Sequence, residues 1–153
     1  MHGNAHPYYE SFSLIERLHR HFLDVVKVVL EKNSIQDVNN VQAMILYSIG
    51  DEDLTVGELT LRGYYLGSNV SYNVKKLVET GYLTQERSMH DKRAIRLKLT
   101  DKAQKLGALM GAAFDSHVGA LGNFQIADGD LKQMNDTLKK IERFWTVALT
   151  QGV

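Results

Sequence analysis

The sequence predicts a mainly α-helical domain that carries one small antiparallel β-hairpin and has a long amphipathic helix near each end. Three observations predict it. Apolar residues recur at helical spacing up to Thr80, the period switches to strict alternation after Gly81, and helical spacing returns beyond Thr100.

From Tyr8 to Lys32, Leu14, Leu18, Phe22, Val25 and Val29 fall at steps of four, four, three and four, one stripe of a long helix with charged flanks. Asn39 and Gln42 read as an N-cap and its reciprocal partner, opening a short helix through Met44, Ile45 and Leu46 that ends near Gly50. Asp51-Glu52-Asp53 forms its loop. Thr55 and Glu58 repeat the capping pattern and open another short helix through Leu59 and Leu61 towards Gly63. The next helix runs from Gly67 or Ser68 to Thr80 with Val70, Val74, Leu77 and Val78 on one face, and stops at Gly81, where a left-handed C-cap costs least. Leu83, Gln85 and Arg87, then Ile95 to Leu99, read as two half-buried strands joined by the polar segment Ser88 to Arg93. Thr100 caps a helix holding Ala103, Leu106, Leu109, Met110 and Phe114. After Asp128, Leu131, Met134, Leu138, Ile141, Trp145 and Leu149 mark the last helix.

The 153 residues suit one soluble domain, residues 1–153, able to bury a core without a metal or disulfide. With no cysteine, a thiol nucleophile, a thiolate metal site and a disulfide switch are excluded. The polar opening residues and the break of the longest apolar run by Lys27 argue against a signal peptide or membrane span, so the expected location is cytoplasmic. The histidines make no metal pattern: His19 and His21 face different ways on a helix, and His2 and His6 are expected in a frayed tail. No nucleophile beside a base, Gly-rich phosphate loop or paired catalytic carboxylates are found, so the chain is read as a non-enzyme without cofactor.

The zero net charge conceals a segregation. Between Arg62 and Lys105, ten Lys and Arg stand against four Asp and Glu, a net of +6, and the rest of the chain carries −6. A positive field confined to a helix and a hairpin tip is the footprint expected for a polyanion. Short helix, tight turn, second helix and two-stranded wing together make the winged form of the helix-turn-helix, whose second helix enters the DNA major groove. Its first residues, Ser68, Asn69, Ser71, Tyr72 and Asn73, can bond to bases and phosphates. Lys75 and Lys76 follow where such a helix passes the phosphate backbone, and Arg87, His90, Lys92 and Arg93 serve the wing.

The run Asn69-Val70-Ser71-Tyr72-Asn73-Val74-Lys75-Lys76-Leu77-Val78-Glu79-Thr80-Gly81-Tyr82-Leu83, with Arg87 and Asp91-Lys92-Arg93 through Leu99-Thr100, resembles the MarR family of transcriptional regulators. The Asp-Lys-Arg wing ending in Leu-Thr carries most of that resemblance. It implies a homodimer with two winged lobes that represses transcription until a small ligand or oxidant weakens DNA binding. It further implies that Asp91 folds the wing while Arg93 reaches the minor groove. On this reading residues 37–100 form the DNA-binding lobe, and residues 8–34 and 101–150 mainly supply N- and C-terminal dimerisation helices. The sequence departs from the family pattern where Tyr64, Tyr65 and Leu66 stand between the two helices, since Leu66 cannot cap.

The stripes Leu14, Leu18, Phe22 and Leu138, Ile141, Trp145 exceed the needs of a small core and point independently to a homodimer. The expected partners are double-stranded DNA at a pseudo-palindromic operator, a second copy of the chain and a small effector, with no membrane. By the family's placement Arg20, Met44, Tyr47 and Tyr65 would line the effector pocket, and an arginine beside aromatics suits an aromatic carboxylate or other planar anion. The competing reading is a winged-helix module that binds protein rather than DNA.

Overall fold

The computed structural model describes residues 6–61, 67–87, 89–90 and 94–152, the side chains of Gly67 and Ser68 excepted. In chain order these form α1 (Pro7–Lys32), α2 (Asn40–Ile49), β1 (Leu54–Thr55), α3 (Val56–Leu61), α4 (Gly67–Glu79), β2 (Leu83–Arg87), β3 (Ile95–Leu99), α5 (Asp101–Ala120), a 3-10 turn (Leu121–Phe124) and α6 (Asp128–Gln151). The mainly helical class with a small antiparallel sheet is the one expected.

Local capping explains most element starts. The Asn39 side chain accepts from the Gln42 N–H at 2.8 Å while Gln42 Oε1 accepts from the Asn39 N–H at 3.0 Å, the reciprocal pattern that satisfies two orphan donors at the start of α2. Thr55 and Glu58 do the same for α3, at 3.0 and 3.2 Å. Thr100 Oγ1 accepts from the Ala103 N–H at 3.3 Å and donates to the Gly81 carbonyl at 2.7 Å, fastening the start of α5 to the end of α4. Gly81 itself has φ +83°, the left-handed conformation that ends α4 at little cost to a residue without Cβ. At α6 the Asp130 carboxylate accepts from the Ala127 N–H at 3.0 Å.

Four features differ from expectation. His6 belongs to no frayed tail: its Nδ1 accepts from the Tyr8 N–H at 3.1 Å and caps α1, with Pro7 at the position where a missing N–H costs nothing. The hairpin is one part of a three-stranded sheet in the order β1-β3-β2, because Leu54 and Thr55 pair with Leu97 and Arg96. Along β2 only Leu83 is buried, whereas Gln85 and Arg87 are exposed, since the hairpin runs out beyond the core. A 3-10 turn also precedes α6, and Gln125 closes it in the left-handed region at φ +58°.

The chain divides into two compact units, residues 1–112 and residues 113–153. In the first unit Val26, Val29 and Leu30 of α1 meet a core of Ile45, Leu46 and Ile49 from α2, Leu59 from α3, Val70, Val74 and Leu77 from α4, and Leu83, Leu97, Leu106 and Met110. Asn40 Nδ2 donates to the Leu23 carbonyl at 3.0 Å and holds α2 across α1. The expected α1 stripe lies largely off this core, with Leu18, Phe22 and Val25 exposed. In the second unit no described residue of α6 is buried, and Met134, Leu138, Phe144, Val147 and Leu149 are exposed.

Candidate nucleic-acid interface

Helix α4 is amphipathic because its apolar residues recur every three or four positions, and their burial fixes which face is left outside. Val70, Val74 and Leu77 are buried against the core. Asn69, Ser71, Tyr72, Lys75 and Lys76 fall on the outer face and are exposed, as the helical phase predicts. Tyr72 is 61% exposed, and Lys76 Nζ lies 5.9 Å from its ring centroid and 3.6 Å from Glu79 Oε2. Ser68 lies in the first turn of the helix; its side chain is outside the described residues.

Asn73 is a correction. It sits on the inner face, 9% exposed, and its Oδ1 accepts from Gln42 Nε2 at 3.2 Å. Positions 70, 73, 74 and 77 share one side of a helix, so a polar residue at 73 points inward and needs a buried partner. Gln42, equally buried, supplies it with the same amide whose oxygen completes the α2 cap. The Asn73 side chain is therefore held on the inner face of α4 by Gln42 and not on the outer face with Asn69 and Tyr72.

The wing is formed by β2 and β3, paired in register from Leu83↔Leu99 to Arg87↔Ile95. Arg87 is exposed at its outer end, and His90 is exposed in the connection. Met89 beside it is 94% exposed. Asp91, Lys92 and Arg93 lie outside the described residues.

Among the described basic residues of this stretch, Lys76 pairs within its own helix, whereas Arg96 and Lys102 are engaged by acidic partners far along the chain. Arg96 Nη1 donates to the Asp53 carbonyl at 3.3 Å and lies 3.7 Å from its carboxylate, tying β3 to the acidic loop before β1. Lys102 Nζ bonds Asp37 Oδ2 at 2.5 Å and the Thr80 carbonyl at 2.8 Å, and stands 4.3 Å from the centroid of the Tyr82 ring. Tyr82 Oη donates to Asp37 Oδ1 at 2.6 Å. Burial pushes the Asp37 carboxyl up, but the hydrogen bonds from Lys102 and Tyr82 and the lysine charge outweigh it and hold the group below its usual range. Burial, together with the bond to a carboxylate, pushes the Tyr82 phenol well above its ordinary value.

Of the residues expected at an effector pocket, Arg20, Met44 and Tyr47 are among the described residues. Arg20 is exposed on α1 and paired with Glu16 at 2.6 Å, Met44 is half-buried, and Tyr65 lies outside the described residues. Tyr47 does line a cleft of about 450 Å³, with Leu46, Gly50, Asp51, Leu99 and Gln104 among its neighbours. Neither Arg20 nor Met44 is among the described lining residues, and Asp51 is the one charged group there. Among the described residues no cluster of three or more His, Asp or Glu could hold a metal ion, and no helix is long and apolar enough to cross a membrane.

Comparison with known proteins agrees with this geometry. The profile of the MarR family matches residues 36–94, from the α1–α2 connection to the residue before β3. The exopolysaccharide II synthesis transcriptional activator ExpG of Rhizobium meliloti (strain 1021) is 34% identical over 146 residues, covering 95% of this chain and 75% of the relative. The fold is shared with Streptococcus pneumoniae FabT in complex with DNA, at TM-score 0.72, 18% identity and coverage of 91% and 97% of the two chains. It is shared also with Staphylococcus aureus MarR in complex with salicylate and kanamycin, at TM-score 0.73, 22% identity and coverage of 91% and 92%. A winged helix-turn-helix with a polar, basic outer face, and a close relative along nearly its whole length, place this chain in the MarR family of transcriptional regulators.

Proposed function

We propose that the protein acts by binding DNA as a homodimer at a pseudo-palindromic operator, in the cytoplasm, and that a small aromatic or anionic effector modulates this binding. The observation that carries the reading is the outer face of α4: Asn69, Ser71, Tyr72, Lys75 and Lys76 are all exposed on one side, opposite a fully packed apolar side. Polar groups at the start of such a helix suit base edges, and lysines further along suit phosphates. Arg87 and His90, with Lys92 and Arg93, would serve the wing, and Asp91 would shape it. The exposed apolar residues of α1 and of α6 support a second copy as the partner that covers them. Family membership supports regulation of transcription, and the name of ExpG as a transcriptional activator supports activation as well as repression as its direction.

The test is operator selection from random duplexes, followed by binding isotherms at several salt concentrations and sedimentation of the free protein. The expected result is a two-fold symmetric site with half-site centres about 10 base pairs apart and a steep negative salt slope. A slope near zero would favour the protein-binding module, and a folded monomer at micromolar concentration would remove the dimer.

A further inference from the structure

We propose that a second cleft, at the root of α5, binds a small organic anion with an apolar body, and that this ligand competes with Asp37 for Lys102. The proposal rests on the reading of the protein as an effector-responsive regulator, and names a place and a chemical class for the effector. The cleft has a volume of about 340 Å³ and is lined by Ile35, Tyr82, Lys102, Lys105, Leu106 and Leu109. That size lies within the range of small-molecule sites, roughly 300–1,000 Å³.

Its chemistry is one-sided. Three aliphatic side chains and the Tyr82 ring form the apolar wall, and both charged groups among its described lining residues are lysines. A carboxylate joined to a hydrocarbon would bury its chain on the first and place its charge on the second, whereas an amine of the same shape would meet two like charges. The larger cleft beside Tyr47 has the opposite character, because the one charged group among its described lining residues is Asp51. Of the two clefts, an anion therefore prefers the one at the root of α5. Lys105 is exposed and is in no ion pair among the described residues, so it can receive the ligand first.

Lys102 gives the site a consequence. Its ammonium is already engaged by Asp37, the Thr80 carbonyl and the Tyr82 ring, so a ligand carboxylate on this lysine has to displace one of them. Asp37 is the partner of like charge. Its release loosens the connection between α1 and α2, which leads within two residues to the Asn39 cap, and Gln42 of that cap holds Asn73 of α4. Ligand occupancy is thus linked to the setting of the DNA-facing helix through named contacts.

Octanoate, octanamide and octylamine are the probes, titrated calorimetrically into the full chain, with operator binding measured separately. Octanoate should bind saturably, octanamide should bind about tenfold more weakly, and Lys105→Gln should weaken octanoate by about the same factor. Leu109→Asp, which puts a carboxylate at the half-buried rim, should abolish octanoate binding while leaving operator affinity unchanged. Asp37→Asn should tighten octanoate binding, and octanoate should speed amide exchange across residues 33–39. Equal binding of octanoate and octanamide, or preference for octylamine, overturns the proposal. Operator binding without octanoate binding removes this site and leaves the regulator standing; octanoate binding as described without operator binding does the reverse.

Discussion

Replacing Asn73 by alanine separates a residue that reads DNA from one that holds the reading helix. Among the described residues the side chain makes one buried hydrogen bond, to Gln42 Nε2 at 3.2 Å, and both residues are 9% exposed. Truncation removes that bond and leaves a buried amide donor on Gln42 unsatisfied, which costs about 1–3 kcal/mol. Gln42→Ala loses the same bond and also the acceptor for the Asn39 N–H, so it should be the costlier change by about 0.5–1 kcal/mol. If the two residues act through one another, the double variant is less destabilised than the sum by about 1 kcal/mol. Urea denaturation at fixed protein concentration measures all three, because the stability of a dimer depends on concentration. In parallel, binding to a panel of operator variants should show Asn73→Ala weaker on every sequence by a common factor. An unchanged denaturation midpoint combined with altered preference at one or two operator positions would refute the inward assignment and return Asn73 to the reading face.

Other substitutions test the remaining assignments. Asn39→Ala should cost about 1 kcal/mol through loss of the α2 cap, read from the same denaturation curves, with Asn39→Asp largely retaining it. Asp37 titrates below its ordinary value in the folded protein, so the unfolded chain binds more protons in acid. Its contribution is complete above the ordinary carboxylate pKa of about 3.9 and is lost as pH falls through the folded value. The stability gap between the wild type and Asp37→Asn should therefore narrow in acid, and should stay under about 1 kcal/mol at neutral pH because the Asp37 and Lys102 side chains are 44% and 47% exposed. Asn69→Ala should relax discrimination at particular operator positions by about 1–3 kcal/mol per lost bidentate contact. Arg93→Ala should instead weaken all sequences alike and flatten the salt slope by about two units if each wing meets one phosphate. Loss of sequence preference with retained tight non-specific binding in Arg93→Ala would make the wing the reader.

The features legible in the sequence are those whose cause is local. Asn39 with Gln42, Thr55 with Glu58, Gly81 and Thr100 each act within a few residues, so spacing alone located them. The apolar phase of α4 likewise placed Val70, Val74 and Leu77 inside and left Asn69, Ser71, Tyr72, Lys75 and Lys76 outside. What stayed hidden depends on partners far along the chain. Asn73 looks like a reader until Gln42, thirty-one residues earlier, is found against it. Arg96 and Lys102 look like free charge until Asp53 and Asp37 are seen beside them. The inward phase of position 73 was available from the period, and a polar residue there was the one sign that a buried partner existed. Strand β1 has only two residues and carries no periodicity of its own, while His6 is an uncommon cap whose imidazole acts through Nδ1.

The strand order β1-β3-β2 also governs when the DNA-facing region can form. The middle position belongs to the strand that is last in sequence, so Leu54 and Thr55 have no sheet partner until Ile95 to Leu99 have been made. The β2–β3 hairpin is a short-range event, but docking β1 closes a loop of about forty residues that contains both α3 and α4, and such closure is an entropic cost met before its contacts give any return. During synthesis α3 and α4 therefore emerge well before the sheet that brackets them. A nascent chain stalled before Ile95 should leave these helices susceptible to protease, and extension past Leu99 should protect them together.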